Sequence, residues 1–354
     1  MLLFYGFLVL LVLYAIFATL NALIQYTPTA IEDKYEPRTL VIVPCRGTDL
    51  TSEQNLKSLK NQDYKKYDII GVVDNEFDEA VNYLTMAGIK YITTNQDFSQ
   101  GSGKVNAIAT ALDRFRGYDA YVIADSDICA AQDWLSRLVA PLAYNRTGIS
   151  TTFPYFKPEG SFWSKVKSVW GFVGQGMMES ELLAFGWGGS LAFKKELLDE
   201  NAFELFKKSV SDDVALTKIA KWKGLKVFYV PEAQPVVHSA DDFRSFLEWS
   251  NRQTALSIHG NPKVFWLGLV SYGMSLVLFL SALILGFSYS SYAFLLLIPF
   301  ALGTIKSIRR AKELYPEILP INIMLPAVFI FNLLAAKNMR SISWRGREYS
   351  LQQE

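Results

Sequence analysis

Two long stretches of this chain carry no charge at all, Met1 to Ile31 and Val264 to Thr304. Leu2 to Asn21 is almost wholly apolar, and about 20 helical residues rising about 1.5 Å each cross a hydrocarbon core of about 30 Å. The chain is therefore expected to open on a transmembrane anchor, residues 1–26. A cleaved signal peptide needs a basic segment ahead of a shorter apolar core, and no Lys or Arg precedes Lys34, so the anchor is expected to be retained. The second stretch is long enough for two spans, a hairpin at 264–306 broken around Gly286, Ser288, Ser290 and Ser291. A third apolar segment, 319–336, is interrupted by Pro320 and Pro326 and is short for a full crossing. Together these make a C-terminal membrane region at 264–338, followed by a basic tail at 339–354.

Orientation follows from the cations. Lys306, Arg309, Arg310 and Lys312 come directly after the hairpin and are expected on the cytoplasmic face. A hairpin starts and ends on one side, so the domain before it, residues 32–260, is expected in the cytoplasm too. The tail carries Lys337, Arg340, Arg345 and Arg347, and a complete crossing at 319–336 would export them. A re-entrant or interfacial segment there resolves the conflict.

Over 354 residues the chain is 51% hydrophobic and 19% charged, which leaves room for one sizeable α/β domain beside the membrane segments. A net charge of +1 gives no reason to expect nucleic acid, and basic residues beside membrane segments suit anionic lipid. Cys45 and Cys129 are the only cysteines, so a disulfide framework is not expected.

Within 32–260, Thr39 to Val43 is an apolar, β-branched run that ends at Pro44, and a helical pattern through Leu56 and Leu59 stops at Asn61-Gln62-Asp63. A second strand is predicted at Asp68 to Val73, a helix at Glu79 to Ala87, a third strand at Lys90 to Thr93, a helix near Val105 to Phe115 and a fourth strand at Ala120 to Ala124. Alternating βα units imply a mostly parallel sheet with helices on both faces. In such sheets ligands sit beyond the carboxyl ends of the strands. The residues there are unusually polar: Arg46 and Asp49, then Asp74, then Asp125, Ser126 and Asp127.

Asp125-Ser126-Asp127 sets two carboxylates at a buried strand's end, where they can hold Mg²⁺ or Mn²⁺ and neutralise a diphosphate leaving group. An Asx-type turn with solvated acids fits the same residues. Gly101-Ser102-Gly103-Lys104-Val105-Asn106 allows close backbone approach and offers Lys104 to a phosphate, or is a turn capped by a helix; its spacing is not that of a P-loop. Ser211 reads as the N-cap of a helix over Val214 to Trp222, which ends at Gly224 before a strand at Lys226 to Val230. Asp212 and Asp213 suit the helix dipole, and one of them can deprotonate an acceptor hydroxyl. Gly186-Trp187-Gly188-Gly189-Ser190 is either a floor of amides and an aromatic face beneath a sugar or acceptor, or an ordinary glycine turn. Trp249 reads as an interface anchor, and Arg252 as a clamp for a diphosphate.

In this order the segments resemble glycosyltransferase family 2, most closely its ceramide glucosyltransferase-like members, over about residues 39–253. Pro44-Cys45-Arg46-Gly47-Thr48-Asp49-Leu50 is similar to that group's opening loop, and Leu56 to Tyr64 to the family's first helix. The resemblance implies a GT-A fold and donor contacts from Pro44, Arg46, Gly47, Asp74, Lys104, Asn106 and Asp125, with Asp74 on the nucleotide base. It implies a metal at Asp125 and Asp127, and Asp213 as the general base. Gly188-Gly189-Ser190-Leu191-Ala192-Phe193 resembles the acceptor-side glycine motif, which brings Trp187, Gly188, Gly189 and Asp212 to the acceptor or diphosphate. The later Gln/Arg-x-x-Arg-Trp motif is matched only in part by Trp249, Arg252 and Gln253, which argues against processive polymer synthesis. The tail Trp344-Arg345-Gly346-Arg347-Glu348-Tyr349 resembles a closing segment of related lipid-modifying transferases. Trp344, Arg345 and Arg347 then reach the diphosphate or lipid headgroups; read without the resemblance, they form a basic membrane-proximal tail.

The expectation is an inverting, membrane-bound transferase that moves one sugar, glucose by resemblance, from a UDP-sugar to a lipid hydroxyl. The acceptor is open among a ceramide, a diacylglycerol, a sterol-like lipid and a polyprenyl phosphate. A polysaccharide synthase and an inactive nucleotide-sugar-binding scaffold are the alternatives.

Overall fold

A computed structural model of the chain describes residues 2–23, 26, 35–95, 100–181 and 183–351. The junction expected between anchor and domain, residues 27–34, lies outside the described residues, as do Met1, residues 24–25 and the last three residues of the tail. The chain forms two compact units, one of Pro28–Gly160, Val173–Ala240 and Arg340–Glu354, the other of Met1–Thr27, Ser161–Phe172 and Asp241–Met339.

The first unit is built on a sheet. Its strands are β1 (Thr39–Pro44), β2 (Tyr67–Val73), β3 (Lys90–Thr93), β4 (Ala120–Ala124), β6 (Thr147–Thr151), β8 (Ser190–Lys194) and β9 (Lys226–Tyr229), in the order β3-β2-β1-β4-β8-β6-β9. β8 runs antiparallel to both neighbours and the other pairings are parallel. All of β4 is buried, as a strand covered on both faces must be, which is why it reads as an unbroken apolar run. Leu40, Ile42, Val72, Ile123 and Phe193 pack on one face against the helices Gly103–Arg114, Glu200–Lys207 and Asp212–Trp222. The helices Ala80–Met86 and Trp134–Val139 pack against β2 and β8 with Leu84, Trp134 and Leu138 buried. The predicted α/β class holds: this is a GT-A type, mostly parallel sheet.

A smaller sheet joins β5 (Ile128–Cys129) and β7 (Tyr155–Pro158) to the two sides of β10 (Val236–Ser239). Because β5 starts directly after Asp127, its pairing pins the Asp-x-Asp turn. The last strands, β11 (Ser341–Trp344) and β12 (Arg347–Ser350), form a hairpin. Its two-residue turn has φ of +46° at Arg345 and +74° at Gly346, the left-handed pair that such hairpins require.

The second unit is helical. Among the described residues, four helices are long and apolar enough to cross a membrane: Phe4–Leu23, Lys263–Ser288, Ser291–Arg310 and Ile318–Lys337. The break predicted at Ser288 to Ser291 separates the second from the third. The segment expected to be short is a continuous helix of 20 residues, Ile318–Lys337. Pro320 falls in its first turn, where its missing N–H costs no hydrogen bond, and Pro326 lies inside the helix without ending it. This helix is 39% buried by its own chain over its apolar window, against 6% for Phe4–Leu23. Its buried face is apolar apart from Asn332, which accepts from Trp170 Nε1 at 3.1 Å and donates to Ser250 Oγ at 3.0 Å and Asn251 Oδ1 at 2.8 Å.

The two units interleave along the chain. The helix Phe243–Gly260 packs on Ile318–Lys337 and so joins the helical unit, whereas the tail joins the sheet. Contacts between segments distant in sequence decide both placements.

Candidate active site

β1, β2 and β4 run parallel, so the loops after them gather at one edge of the sheet. Gly47 N donates to Asp78 Oδ1 at 2.9 Å, tying the loop after β1 to the loop after β2. The backbone N of Asp125 donates to Gly189 O at 3.1 Å, which sets the Asp-x-Asp turn beside the glycine motif before β8. Ser126 is held from both sides, its carbonyl accepting from Asn55 Nδ2 at 3.2 Å and its hydroxyl donating to Asp49 Oδ2 at 3.0 Å.

Lys104 is the hub of this edge. Its Nζ lies 2.8 Å from Asp125 Oδ1, 3.2 Å from Asp212 Oδ2 and 3.1 Å from Gly188 O. Lys104 therefore pairs with Asp125, donates to Gly188 O and sets its charge beside Asp212, bracing the carboxylates. Burial works against its charge, but Asp125, Asp212 and Asp213 outweigh it and hold Lys104 above the usual lysine range. Ser102 caps the same helix by accepting from Val105 N at 3.2 Å, so the capped-turn reading of this segment is true as well. Asn106 turns inward and is buried.

Two carboxylates here are short of partners. Asp127 Oδ1 is buried without a hydrogen bond, and Asp127 is pushed up to about 7 by burial, then by the negative charges of Asp125 and Asp49. Asp212 Oδ2 has the charge of Lys104 at 3.2 Å but no hydrogen bond of proper geometry. Asp212 is also pushed up to about 7, chiefly by burial, with Lys104 working against it and Asp213 and Asp125 adding to it. A Cβ on Gly188 would stand 2.3 Å from Asp212 Oδ2 and 2.9 Å from Lys104 Nζ, so only glycine fits there.

Asp213 is held differently. Oδ2 accepts from Gly188 N at 3.2 Å, Oδ1 accepts from Val214 N at 2.7 Å, and the Ser211 hydroxyl donates to Oδ1. Ser211 occupies the N-cap position predicted for it but makes no side-chain capping bond; its hydroxyl donates to this carboxylate. Asp213 is half-buried, whereas Asp212 is buried. Trp187 folds back over Gly189, whose missing Cβ would lie 2.2 Å from the indole ring, and Trp187 N donates to Thr151 Oγ1 at 3.0 Å.

The tail closes the edge. Arg345 Nη2 pairs with Asp49 Oδ1 at 2.7 Å, and its Nη1 donates to Arg46 O at 2.6 Å. Arg347 lies 3.1 Å from Asp74 Oδ2, whose carboxylate also has Arg46 at 3.5 Å. Gly103 N, in the first turn of its helix, donates to Tyr349 Oη at 3.2 Å. Pro44 ends β1, and Trp344 precedes the hairpin turn.

Trp249, Arg252 and Gln253 lie on the helix Phe243–Gly260 of the helical unit. There Trp249 meets Trp170 edge-on at 4.9 Å and carries Lys167 Nζ over its ring at 4.7 Å. Sequence reasoning picked out Asp49 by its place after a strand and Tyr349 as the end of the tail motif without giving either a role, and it overlooked Asp78. Asp78 had a usable signal, since it follows the second strand closely.

The model of glycosyl transferase family 21 matches residues 6–354. The chain belongs to glycosyl transferase family 21. The resemblance in its motifs pointed to family 2; the family it matches is 21. Among solved structures, the family 21 chain is similar to the mannosyltransferase PcManGT from Pyrobaculum calidifontis, in complex with GDP-Man and Mn²⁺, at 19% identity and a TM-score of 0.56 over 92% of this chain and 93% of that one. It is also similar to glucosyl-3-phosphoglycerate synthase from Mycobacterium tuberculosis, in complex with Mn²⁺ and UDP-glucose, at 14% identity and a TM-score of 0.41 over 63% of this chain and 79% of that one. No curated protein matches the family 21 sequence.

Proposed function

We propose that this family 21 chain transfers a single hexose from a UDP-sugar to the hydroxyl of a membrane lipid, with inversion, at the cytoplasmic face. The observation that carries the reading is the division of labour among the acids. Asp213 is half-buried and held by Gly188 N and Val214 N, whereas Asp125 and Asp212 are locked to Lys104 and Asp127 is buried with an unpaired oxygen. Asp213, more exposed than Asp212 and held by hydrogen bonds rather than locked to Lys104, is the acid we assign as base. In an in-line displacement the acceptor oxygen bonds to the anomeric carbon as the bond from that carbon to the diphosphate breaks, and the hydroxyl proton passes to Asp213.

Asp127 and Asp125 fit Mg²⁺ or Mn²⁺, because a buried, unsatisfied carboxylate oxygen among like charges lacks a counter-charge. Among the described residues no group of three or more His, Cys, Asp or Glu side chains forms a metal cage. Two carboxylates, with donor phosphates completing the shell, suit such a cation. When bound, it supplies charge neutralisation for the departing diphosphate.

The acceptor class rests on the membrane helices and on the ceramide glucosyltransferase-like motifs. Glucose rests on that resemblance alone, and the GDP-mannose bound by the Pyrobaculum enzyme makes GDP-sugars the necessary control.

The test is nucleoside diphosphate release by the full chain in nanodiscs, with a panel of UDP- and GDP-sugars, with Mn²⁺ or EDTA, and with or without a total lipid extract. Lipid-stimulated, metal-dependent release from one donor is expected. Saturable nucleotide binding with no turnover on any donor favours the scaffold reading.

A further inference from the structure

Asp49 has two carboxylate oxygens, and each holds a different part of the site. Oδ1 pairs with Arg345 at 2.7 Å, and Oδ2 accepts from the hydroxyl of Ser126, the middle residue of the Asp-x-Asp turn, at 3.0 Å. Asp49 also helps to order its own loop: its N donates to Ser52 Oγ at 2.7 Å, and its carbonyl accepts from that hydroxyl at 3.0 Å. Three segments far apart in sequence therefore meet on one side chain.

Arg345 stands in the hairpin's two-residue turn, in a backbone conformation that a residue with a side chain disfavours. Its φ of +46° is left-handed, which costs a residue with a Cβ on the order of 1 kcal/mol. Arg345 is the one non-glycine residue with positive φ among the described residues. The hairpin has two further seats, Arg347 on Asp74 and Tyr349 Oη on Gly103 N.

Resting on the donor-site reading above, we infer that Asp49 is a positioning residue that holds Arg345 over the Asp125–Asp127 turn, making the C-terminal hairpin a working part of the donor site. The chemistry that recognises this arrangement is a nucleoside diphosphate: the guanidinium meets phosphate oxygens next to the acids that hold the cation. Asp49 itself does not touch the donor. It fixes the guanidinium on one side and the turn on the other.

The experiment is a double-mutant cycle on UDP affinity with Mn²⁺, measured by calorimetry on the full chain in nanodiscs, using Asp49→Asn, Arg345→Gln and the pair. Each single change is expected to weaken binding about tenfold, as the loss of a charge-assisted contact does, and the double variant to be no weaker than Arg345→Gln. Donor KM should rise in Asp49→Asn with kcat little changed, since the base and the acceptor side are intact. Backbone hydrogen exchange across residues 341–350 should speed up in Asp49→Asn while that of β1 and β4 stays slow, which separates lost positioning from lost folding. Additive losses in the pair, or Asp49→Asn binding UDP like the unmodified chain, overturn the inference. Absence of nucleotide binding in the unmodified chain sinks the donor-site reading, and this inference with it. Normal hydrogen exchange in the hairpin of Asp49→Asn sinks the inference alone.

Discussion

Lys104 and Asp125 form an ion pair of 2.8 Å, and the same ammonium stands 3.2 Å from Asp212. Both acids lie at the carboxyl end of the sheet, where their mutual repulsion needs a cation that the protein itself supplies. Lys104→Met leaves buried carboxylates uncompensated and is expected to cost about 3–5 kcal/mol. Urea unfolding followed by tryptophan fluorescence checks it; an unchanged midpoint would show that the acids need no internal cation.

Asp213→Asn keeps the shape of the carboxylate and loses its basicity. Transfer to lipid is expected to fall by about 10²-fold or more, with UDP and Mn²⁺ affinity held within about twofold. Single-turnover assays beside calorimetry measure both, and an equal loss of donor binding would take the role of base away from Asp213.

Asp127 links metal binding to pH. Its folded value is raised from 3.8 to about 7, so between those values the folded protein binds more protons than the unfolded chain. Stability of the cation-free protein is expected to fall as pH rises through that window and to level off above it. A cation must displace the proton, so its affinity is expected to rise with pH up to about 7 and then flatten. Melting temperature with Mn²⁺ and with EDTA at about pH 6 and about pH 8 reads both trends; Asp127→Asn should remove the Mn²⁺ effect and only part of the pH trend of the cation-free protein, because Asp212 is also raised to about 7. A stabilisation by Mn²⁺ that is the same at both pH values counts against Asp127 as a ligand.

Gly103→Ala tests the hairpin seat from the opposite side. The new Cβ would stand 2.6 Å from Arg347 Nη1 and 3.2 Å from Tyr349 Oη, both ends of flexible side chains. The fold is expected to survive, since Ala is the better helix former, while the hairpin loosens and donor KM rises several-fold. An unchanged KM with unchanged hydrogen exchange over 341–350 would show that the seat does not matter.

The hairpin also constrains membrane topology. Since β11 and β12 belong to the sheet unit, the chain between Ala240 and Arg340 is expected to cross the membrane an even number of times. With the hairpin Lys263–Arg310 crossing twice, Ile318–Lys337 is expected to re-enter or lie along the interface despite being long enough to span. In a Cys129→Ser background, Lys60→Cys and Arg340→Cys should react with impermeant maleimide from the same side, and Tyr289→Cys from the other. Labelling of positions 60 and 340 from opposite sides would establish a full crossing.

Local sequence determined what depends on local free energy. The strands at 90–93 and 120–124 were legible residue for residue, the second because a strand buried on both faces is a short apolar run with breakers at its ends. The apolar spans were legible from length, and the acids after β1, β2 and β4 from the rule that places ligands at strand ends. Sequence could not decide where Lys104 points, since its position ahead of an apolar helix fits a phosphate ligand and an internal counter-ion equally well; only the approach of Asp125, Asp212 and Gly188 makes it the latter. Nor could it seat the tail, whose Arg345 finds Asp49 across 296 positions of chain. Charge pairing over that separation depends on the path of the chain through space, and the tertiary structure alone sets that path.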